Sequence, residues 1–426
     1  MCFCPSEKLN LTLVLFTPTF RATFGRFVIM TVIFSDRLKT LQGIGREALG
    51  KGGLVAHWQG NRLYILVADP ESAEVLLKTC LEKDDLMKIF RTLLGNGSVF
   101  APVSIWRHRR KVLAPTFSPK NLNHFVKVFS QQSSIMADKL RSVAGNGDFS
   151  VWKYFSTYTM DSVCETTLGI KMNAQLEPEQ PPFLKAFEYC CHVGARRVCK
   201  PWLYNDTVYQ LICADTYQLF VRKNQNIFYN NKIILKTFLE LLIESSGGEK
   251  GYSDVELREE TLVIVLAGTD TSAVGTAFAT LMLAKHPDVQ DKVYQELQEV
   301  FGDSDRSVSS EDLPRLKYLD AVIRETLRMY PPAPFIVRKV QKDVTLPSGI
   351  TLVDGCGIII SLWSIHRNPR YWGDDAELFR PERFIDTPLK HPAAFMPFSH
   401  GPRGCIGKYE FTEEYGLVRL NLQLRL

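Results

Sequence analysis

The stretch FSHGPRGCIG, residues 398–407, sets one cysteine, Cys405, among three glycines, a proline and an arginine. Glycines permit tight turns and close backbone approach. A loop of this composition can wrap something flat and leave a sulfur pointing at it, and a thiolate is a metal ligand. The partner implied is a metal or a prosthetic group.

The chain of 426 residues is long enough for two or three average domains or for one large helical domain. Hydrophobic residues make up 45% and charged residues 23%, so a large core is expected. A net charge of +5 is too mild to indicate nucleic acid by itself. Ten cysteines, at 2, 4, 80, 164, 190, 191, 199, 213, 356 and 405, show no regular spacing. Most read as small buried hydrophobes in reducing surroundings. Cys2 and Cys4 lack a second ligand pair at zinc-like spacing. At the N-terminus, residues 11–20 and 27–34 are apolar, but Pro18, Arg21 and Arg26 interrupt them. A membrane span needs about 20 apolar residues, so an interfacial segment with snorkelling arginines is the alternative.

Residues 52–70 alternate around Gln59-Gly60-Asn61 and read as a β-hairpin, with a helix over ESAEVLLKT after it. From there to about residue 330 the period is helical, so the chain reads as mostly α with a small β-sheet. Residues 244–254 form the clearest loop, and Asn205-Asp206-Thr207 is a glycosylation sequon unused in a cytosolic chain. TLVIVLAGTDTSAVGTAFATLMLAKHP, residues 261–287, is apolar enough for a membrane span, yet Asp270 sits mid-segment where lipid makes a charge costly. A core helix of a soluble domain is the better reading, with Pro287 opening the next helix.

Within that helix Gly268 weakens the turn, while Asp270 and Thr271 place a carboxylate and a hydroxyl side by side. Buried polar groups need partners, which a ligand or water chain would provide. Equally, Thr271 can bond back to its own helix and Asp270 can pair with a distant base. In YLDAVIRETLRMYPPAPF, Glu325 and Arg328 share a face, and Arg383 of RPERF is a candidate third member. An i,i+3 ion pair is usually solvated, but Ile323, Leu327 and Met329 favour burial here. WRHRRK, residues 106–111, could be a solvated face or a nucleic-acid patch. Trp106 and Arg110 nevertheless share one helix face suited to a carboxylated aromatic ligand, with Arg107 and Lys111 on the next.

Taken in order, these stretches resemble the cytochrome P450 family of haem-thiolate monooxygenases. FSHGPRGCIG is similar to its haem-cysteine loop, AGTDTS to its oxygen-activating helix, ETLR to its buried Glu-x-x-Arg and WRHRR to its Trp-x-x-x-Arg. The likeness runs over residues 52–407, and its flavour resembles the insect branch related to microsomal fatty-acid ω-hydroxylases. The fold implied places haem between the oxygen-activating helix and the cysteine loop. Residues 1–51 are then an atypical N-terminal segment and 408–426 an atypical tail, expected to be truncated or altered. Residues 222–242 look shortened.

By this resemblance Cys405 is the axial ligand to the iron of haem b. Trp106, Arg110, Arg338 and Arg403 bind the propionates, where arginine forks suit carboxylates. Glu325, Arg328 and Arg383 form a structural network behind the loop. Gly268 opens a groove for O2, Thr271 hydrogen-bonds to it, and Asp270 helps relay protons. Electrons come from NADPH through a separate reductase, with cytochrome b5 as a further donor, and Arg107, Arg109 and Lys111 help dock that acidic flavoprotein. The substrate implied is small and lipophilic, the site of action the cytosolic face of the endoplasmic reticulum membrane, and nucleic acid is no partner. Ala267 stands where many fatty-acid ω-hydroxylases have a glutamate that esterifies the haem, so that attachment is not expected. Competing readings are a haem-thiolate isomerase or dehydratase that needs no reductase, and a family member that does not hold haem.

Overall fold

A computed structural model describes residues 34–59, 62–117, 119–144, 149–198, 200–212, 252–302, 304, 306 and 308–408. The apolar stretches up to residue 33, Cys2 and Cys4, the Gly60–Asn61 turn, residues 222–242, most of the 244–254 loop and the tail from 409 lie outside them.

After α1 (Phe34–Leu49), the expected hairpin forms from β1 (Leu54–Gln59) and β2 (Arg62–Val67), antiparallel, with Leu54 opposite Val67. Next come α2 (Pro70–Thr79), α3 (Met87–Leu94), α4 (Val103–Leu113), α5 (Pro119–Val143), α6 (Trp152–Leu168), α7 (Pro182–Val198) and α8 (Asp206–Ile212). Helices α9 (Asp254–Lys285), α10 (Pro287–Phe301) and α11 (Lys317–Met329) precede β3 (Phe335–Lys339), β4 (Val344–Thr345), β5 (Thr351–Leu352) and β6 (Gly357–Ser361). The helix boundaries follow local chemistry. Asp69 caps α2, its carboxylate accepting from the Ser72 amide at 2.8 Å. Ser253 and Glu256 form a reciprocal capping box, so α9 begins inside the segment expected to be loop. Pro287 opens α10 as the sequence predicts.

The sheet runs β1-β2-β6-β3, with β6 parallel to β2 and antiparallel to β3. All five residues of β6 are buried, which accounts for its unbroken Gly-Ile-Ile-Ile-Ser run in place of alternation. Gly357 lies opposite Tyr64, and a Cβ there would fall 2.5 Å from the tyrosine ring. Helix α1 precedes the domain start expected at residue 52, yet Ile44 and Ala48 pack on Tyr64, Leu66 and Ile359 of this sheet.

Helix α9 runs through the core against α6 and is the one described helix long and apolar enough to cross a membrane. A second cluster joins Phe125 and Phe129 of α5, Leu283 of α9, Val293 and Leu297 of α10, and Leu319, Val322 and Leu327 of α11. Each large apolar side chain so buried contributes about 1.5–3 kcal/mol. This helical body holds α9 and α11 in fixed positions relative to the loop that carries Cys405.

Candidate active site

The cysteine loop leaves the core at Phe395 and Phe398, both packed against the α10–α11 cluster. Ser399 and Gly401 have positive φ, at 64° and 72°. A Cβ on Gly401 would stand 2.7 Å from the Leu77 carbonyl oxygen, so the glycine lets the loop lie on α2. The Cys405 amide then donates to the Phe398 carbonyl at 2.9 Å and closes the turn. Ile406 packs with Val112, Leu113 and Val265, which sets the loop between α4 and α9. Cys80, Cys164 and Cys356 are buried free thiols; Cys405 is exposed.

Behind the loop, Glu325, Arg328 and Arg383 come together. Arg328 Nε lies 2.6 Å and Nη2 2.8 Å from the two Glu325 oxygens, and Arg383 Nε lies 3.1 Å from Oε1. Both Glu325 and Arg328 are fully buried. Arg328 also donates to the carbonyls of His366, Ala376 and Leu378, and Arg383 to Asp375 Oδ1 at 3.0 Å. A buried pair is held only when its remaining donors and acceptors are satisfied. His366, which the sequence reading did not single out, extends the network. The Met396 amide donates to its Nε2 at 2.9 Å, so the ring proton sits on Nδ1 and points at the Arg328 carbonyl, 3.2 Å away.

Along one side of the loop lie the basic residues. Arg403 donates from Nη2 to the Ala101 carbonyl at 2.7 Å, and its guanidinium lies 4.6 Å over the Trp106 ring. Arg338, on β3, is 1% exposed and donates from Nη1 to its neighbour's carbonyl. Arg338 Nε, Arg403 Nε and Arg403 Nη1 are buried without a partner. Burial draws both guanidinium groups down to about 10, and each resists the charge of a cationic neighbour. Burial also lowers Arg110, while the nearby Cys405 opposes that shift.

On α9 the groups divide between two sides. Ala267 is exposed, and Thr271 Oγ1 donates to its carbonyl at 2.6 Å, the local back-bond that was one of two expectations. Among the described residues no base pairs with Asp270; burial raises its carboxyl above the ordinary range. Gly268 lies at the crossing of α9 and α6. A Cβ there would meet Val163 Cγ2 at 2.8 Å, so the absence of a side chain admits α6 at close range. Thr159 of α6 reinforces that contact by donating to the Thr269 carbonyl at 2.9 Å.

Arg109 is a correction. Expected on the docking face, it is 2% exposed and turned inward, with Nη1 3.0 Å from Glu260 and 3.3 Å from Glu259. Arg107 and Lys111 remain on the exposed side of α4. Lys83, in the loop between α2 and α3, carries no motif and was missed; it lies close enough to Arg338 and Arg403 for their charges to act on it.

The sequence profile of the cytochrome P450 family matches residues 46–409. The chain belongs to that family. It is 33% identical over 392 residues to cytochrome P450 4V2 of Mus musculus, covering 85% of this chain and 74% of the relative. It is also 33% identical over 369 residues to probable cytochrome P450 4d21 of Drosophila melanogaster, 78% and 71% of the two chains. With cytochrome P450 4c21 of Blattella germanica the identity is 30% over 390 residues, 85% and 77%. These relatives place this P450 in the branch numbered 4, related to the ω-hydroxylases and including insect members. It is a monooxygenase, an oxidoreductase of the haem-thiolate class that uses O2. The residues present fit that cofactor: buried, unpartnered guanidinium donors call for carboxylates, and an exposed thiol lies within electrostatic reach of Arg110.

Proposed function

We propose that this P450 inserts one atom of O2 into a small lipophilic substrate, using electrons delivered from NADPH by a separate reductase. When bound through the Cys405 thiolate, haem b supplies dioxygen activation: two electrons and two protons reduce the second oxygen atom to water while the first enters a substrate C–H bond. The observation that carries this reading is the pair of buried guanidinium groups, Arg338 and Arg403, left with unpartnered N–H donors beside the loop of Cys405.

In this reading Arg338, Arg403, Arg110 and the Trp106 indole hold the haem carboxylates. The Glu325–Arg328–Arg383 network, with His366, fixes the backbone from which the cysteine loop springs. Thr271 keeps its hydroxyl proton on the Ala267 carbonyl and leaves its oxygen lone pairs free to accept. Asp270, with its carboxyl raised by burial, holds a proton more readily than a surface aspartate and can pass it along α9. Ala267 offers no carboxylate for an ester to the haem. Exposed Arg107 and Lys111 are the part of α4 left to meet an acidic reductase. Action at the cytosolic face of the endoplasmic reticulum membrane completes the proposal.

The test is the reduced, carbon-monoxide difference spectrum of the purified chain and of Cys405→Ala. A Soret band characteristic of thiolate ligation, lost in the variant, is expected. A wild-type band at the position of a protein without thiolate ligation would overturn the assignment of Cys405.

A further inference from the structure

Between α3 and α4, residues 95–101 form neither helix nor strand, yet charged side chains tie them down along their length. Helix α9 supplies the first tie. Glu260, whose side chain is fully buried, turns Oε1 to Arg109 Nη1 at 3.0 Å and accepts from the Ser98 amide with Oε2 at 3.1 Å. The same Arg109 nitrogen donates to the Asn96 carbonyl. One ion pair therefore serves both a donor and an acceptor of this strap. At its other end the Phe100 carbonyl accepts from Arg91 Nε at 2.8 Å and the Ala101 carbonyl from Arg403 Nη2 at 2.7 Å.

Two glycines let the strap lie directly on α9. A Cβ on Gly97 would fall 2.4 Å from Val263 Cγ2 and 2.6 Å from the Glu259 carbonyl oxygen, and one on Gly95, at φ 73°, would fall 2.5 Å from the Glu259 side chain. Val263, Ala267 and Thr271 are spaced by four and so share one face of α9. Val263 is 3% exposed beneath the strap, whereas Ala267, about 6 Å further along the axis, is exposed. The strap thus covers this face as far as Val263, and its edge bounds the open part on which Thr271 stands.

We propose that Glu260 is a positioning residue for the oxidation: through the Ser98 amide it fixes residues 95–101 at the edge of the Thr271 face and so limits the bulk of ligand that this face admits. The inference rests on the monooxygenase reading above. It goes beyond it by giving a buried acid that touches no reacting atom a part in selecting ligands by size. A ligand too large for the space must displace the strap, and with it break the bond between the Ser98 amide and a carboxylate, which is stronger than a bond between neutral groups.

The experiment uses haem-loaded full-length chains of wild type, Ser98→Pro, Ser98→Ala and Glu260→Gln, and reads the Soret shift on titration with imidazole and with clotrimazole, a bulky triaryl imidazole. Ser98→Pro removes the amide donor and leaves the Glu260–Arg109 pair in place. It should bind clotrimazole about 10-fold or more tighter than wild type, because no hydrogen bond to a charged group has to be broken, and imidazole as wild type does. Ser98→Ala keeps the amide and should retain the wild-type ratio of the two affinities. Glu260→Gln keeps an acceptor without its charge; it should move the ratio the same way by less, and it carries the comparison if Ser98→Pro shows no thiolate-type Soret band. A ratio that stays unmoved or moves the other way, or equal changes for both azoles, would overturn the proposal and leave Glu260 a structural contact alone. Wild-type chain lacking the thiolate-type Soret band would instead overturn the Cys405 reading, and this inference with it.

Discussion

Arg109 on α4 and Glu260 on α9 are 151 positions apart in sequence and meet at 3.0 Å, both buried. Arg109 Nη1 also donates to the Asn96 carbonyl at 2.5 Å, and the Ser98 amide donates to Glu260 at 3.1 Å. The pair thus ties three segments together around one guanidinium. Removing only the arginine leaves a buried carboxylate without its cation, which costs roughly 3–5 kcal/mol. Arg109→Ala should lower stability to urea by about that much, while Arg109→Leu with Glu260→Leu should lose less than the two single changes summed. A docking residue would instead alter electron transfer and leave stability unchanged. Burial raises the Glu260 carboxyl, so its stabilising share is present at low pH and falls as pH rises above the ordinary carboxylate range. Glu260→Gln should remove that component of the pH profile.

Gly268 gives a second test of where a residue points. Alanine there would need Val163 to move, since its Cβ would lie 2.8 Å from Val163 Cγ2. Overpacking of this kind costs typically about 1–3 kcal/mol. Gly268→Ala should therefore lower stability, and Val163→Ala in the same chain should restore part of it. If activity falls with no loss of stability and no rescue, the glycine serves the reaction side of α9.

How much of this was legible in the sequence depended on whether a signal was local. Helix α9 could be read as a core helix because Asp270 and its polar neighbours interrupt an otherwise lipid-like run. Its start was misplaced because Ser253, the N-cap of a capping box completed by Glu256, sits at the end of a Gly- and Ser-rich stretch that resembles loop. The Cys405 loop and the Glu325–Arg328 pair were legible because their residue types are close in sequence. Strand β6 was not singled out, since a strand buried on both faces loses the alternation that marks the hairpin. The direction of Gly268 and the inward turn of Arg109 are set by α6 and by Glu260, partners 105 and more positions distant whose approach no single-helix periodicity contains.

Arg328 should be intolerant even of lysine. Its guanidinium serves Glu325 with two nitrogens and three carbonyls with the same fork, which a single ammonium has too few directed donors to reproduce. Arg328→Lys should reduce the yield of chain showing the thiolate-type Soret band by at least half. Arg328→Leu, leaving Glu325 buried and uncompensated, should abolish it, with a loss of roughly 3–5 kcal/mol. Normal spectra from both variants would remove the network from any role in shaping the cysteine loop.

Asp270 should affect turnover more than stability. Asp270→Asn preserves shape but has no carboxyl proton to exchange, and loss of a positioned acid or base typically costs on the order of 10² in rate. The expected result is slower product formation for NADPH consumed, with an unchanged carbon-monoxide spectrum. Equal rates in wild type and variant across pH would place the proton path elsewhere.

His366 makes a prediction about acid. Burial, followed by the charge of Arg328, pulls its imidazole from 6.5 down to about 3, so it is neutral in the folded chain. An unfolded chain takes up a proton near 6.5, so the stabilising share of a neutral His366 is complete above that value. It is lost as pH falls towards 3, at up to about 1.4 kcal/mol per pH unit. His366→Gln keeps an acceptor for the Met396 amide but does not titrate. At pH 7 the variant should be less stable by roughly 1–3 kcal/mol, from imperfect replacement of two buried hydrogen bonds. Between pH 6.5 and 5 that gap should narrow by up to about 2 kcal/mol, because only the wild type loses stability through this group. A gap that stays constant over the interval would mean that His366 takes up its proton as readily in the folded chain as in the unfolded one, and that Met396 is held by something other than its Nε2 lone pair.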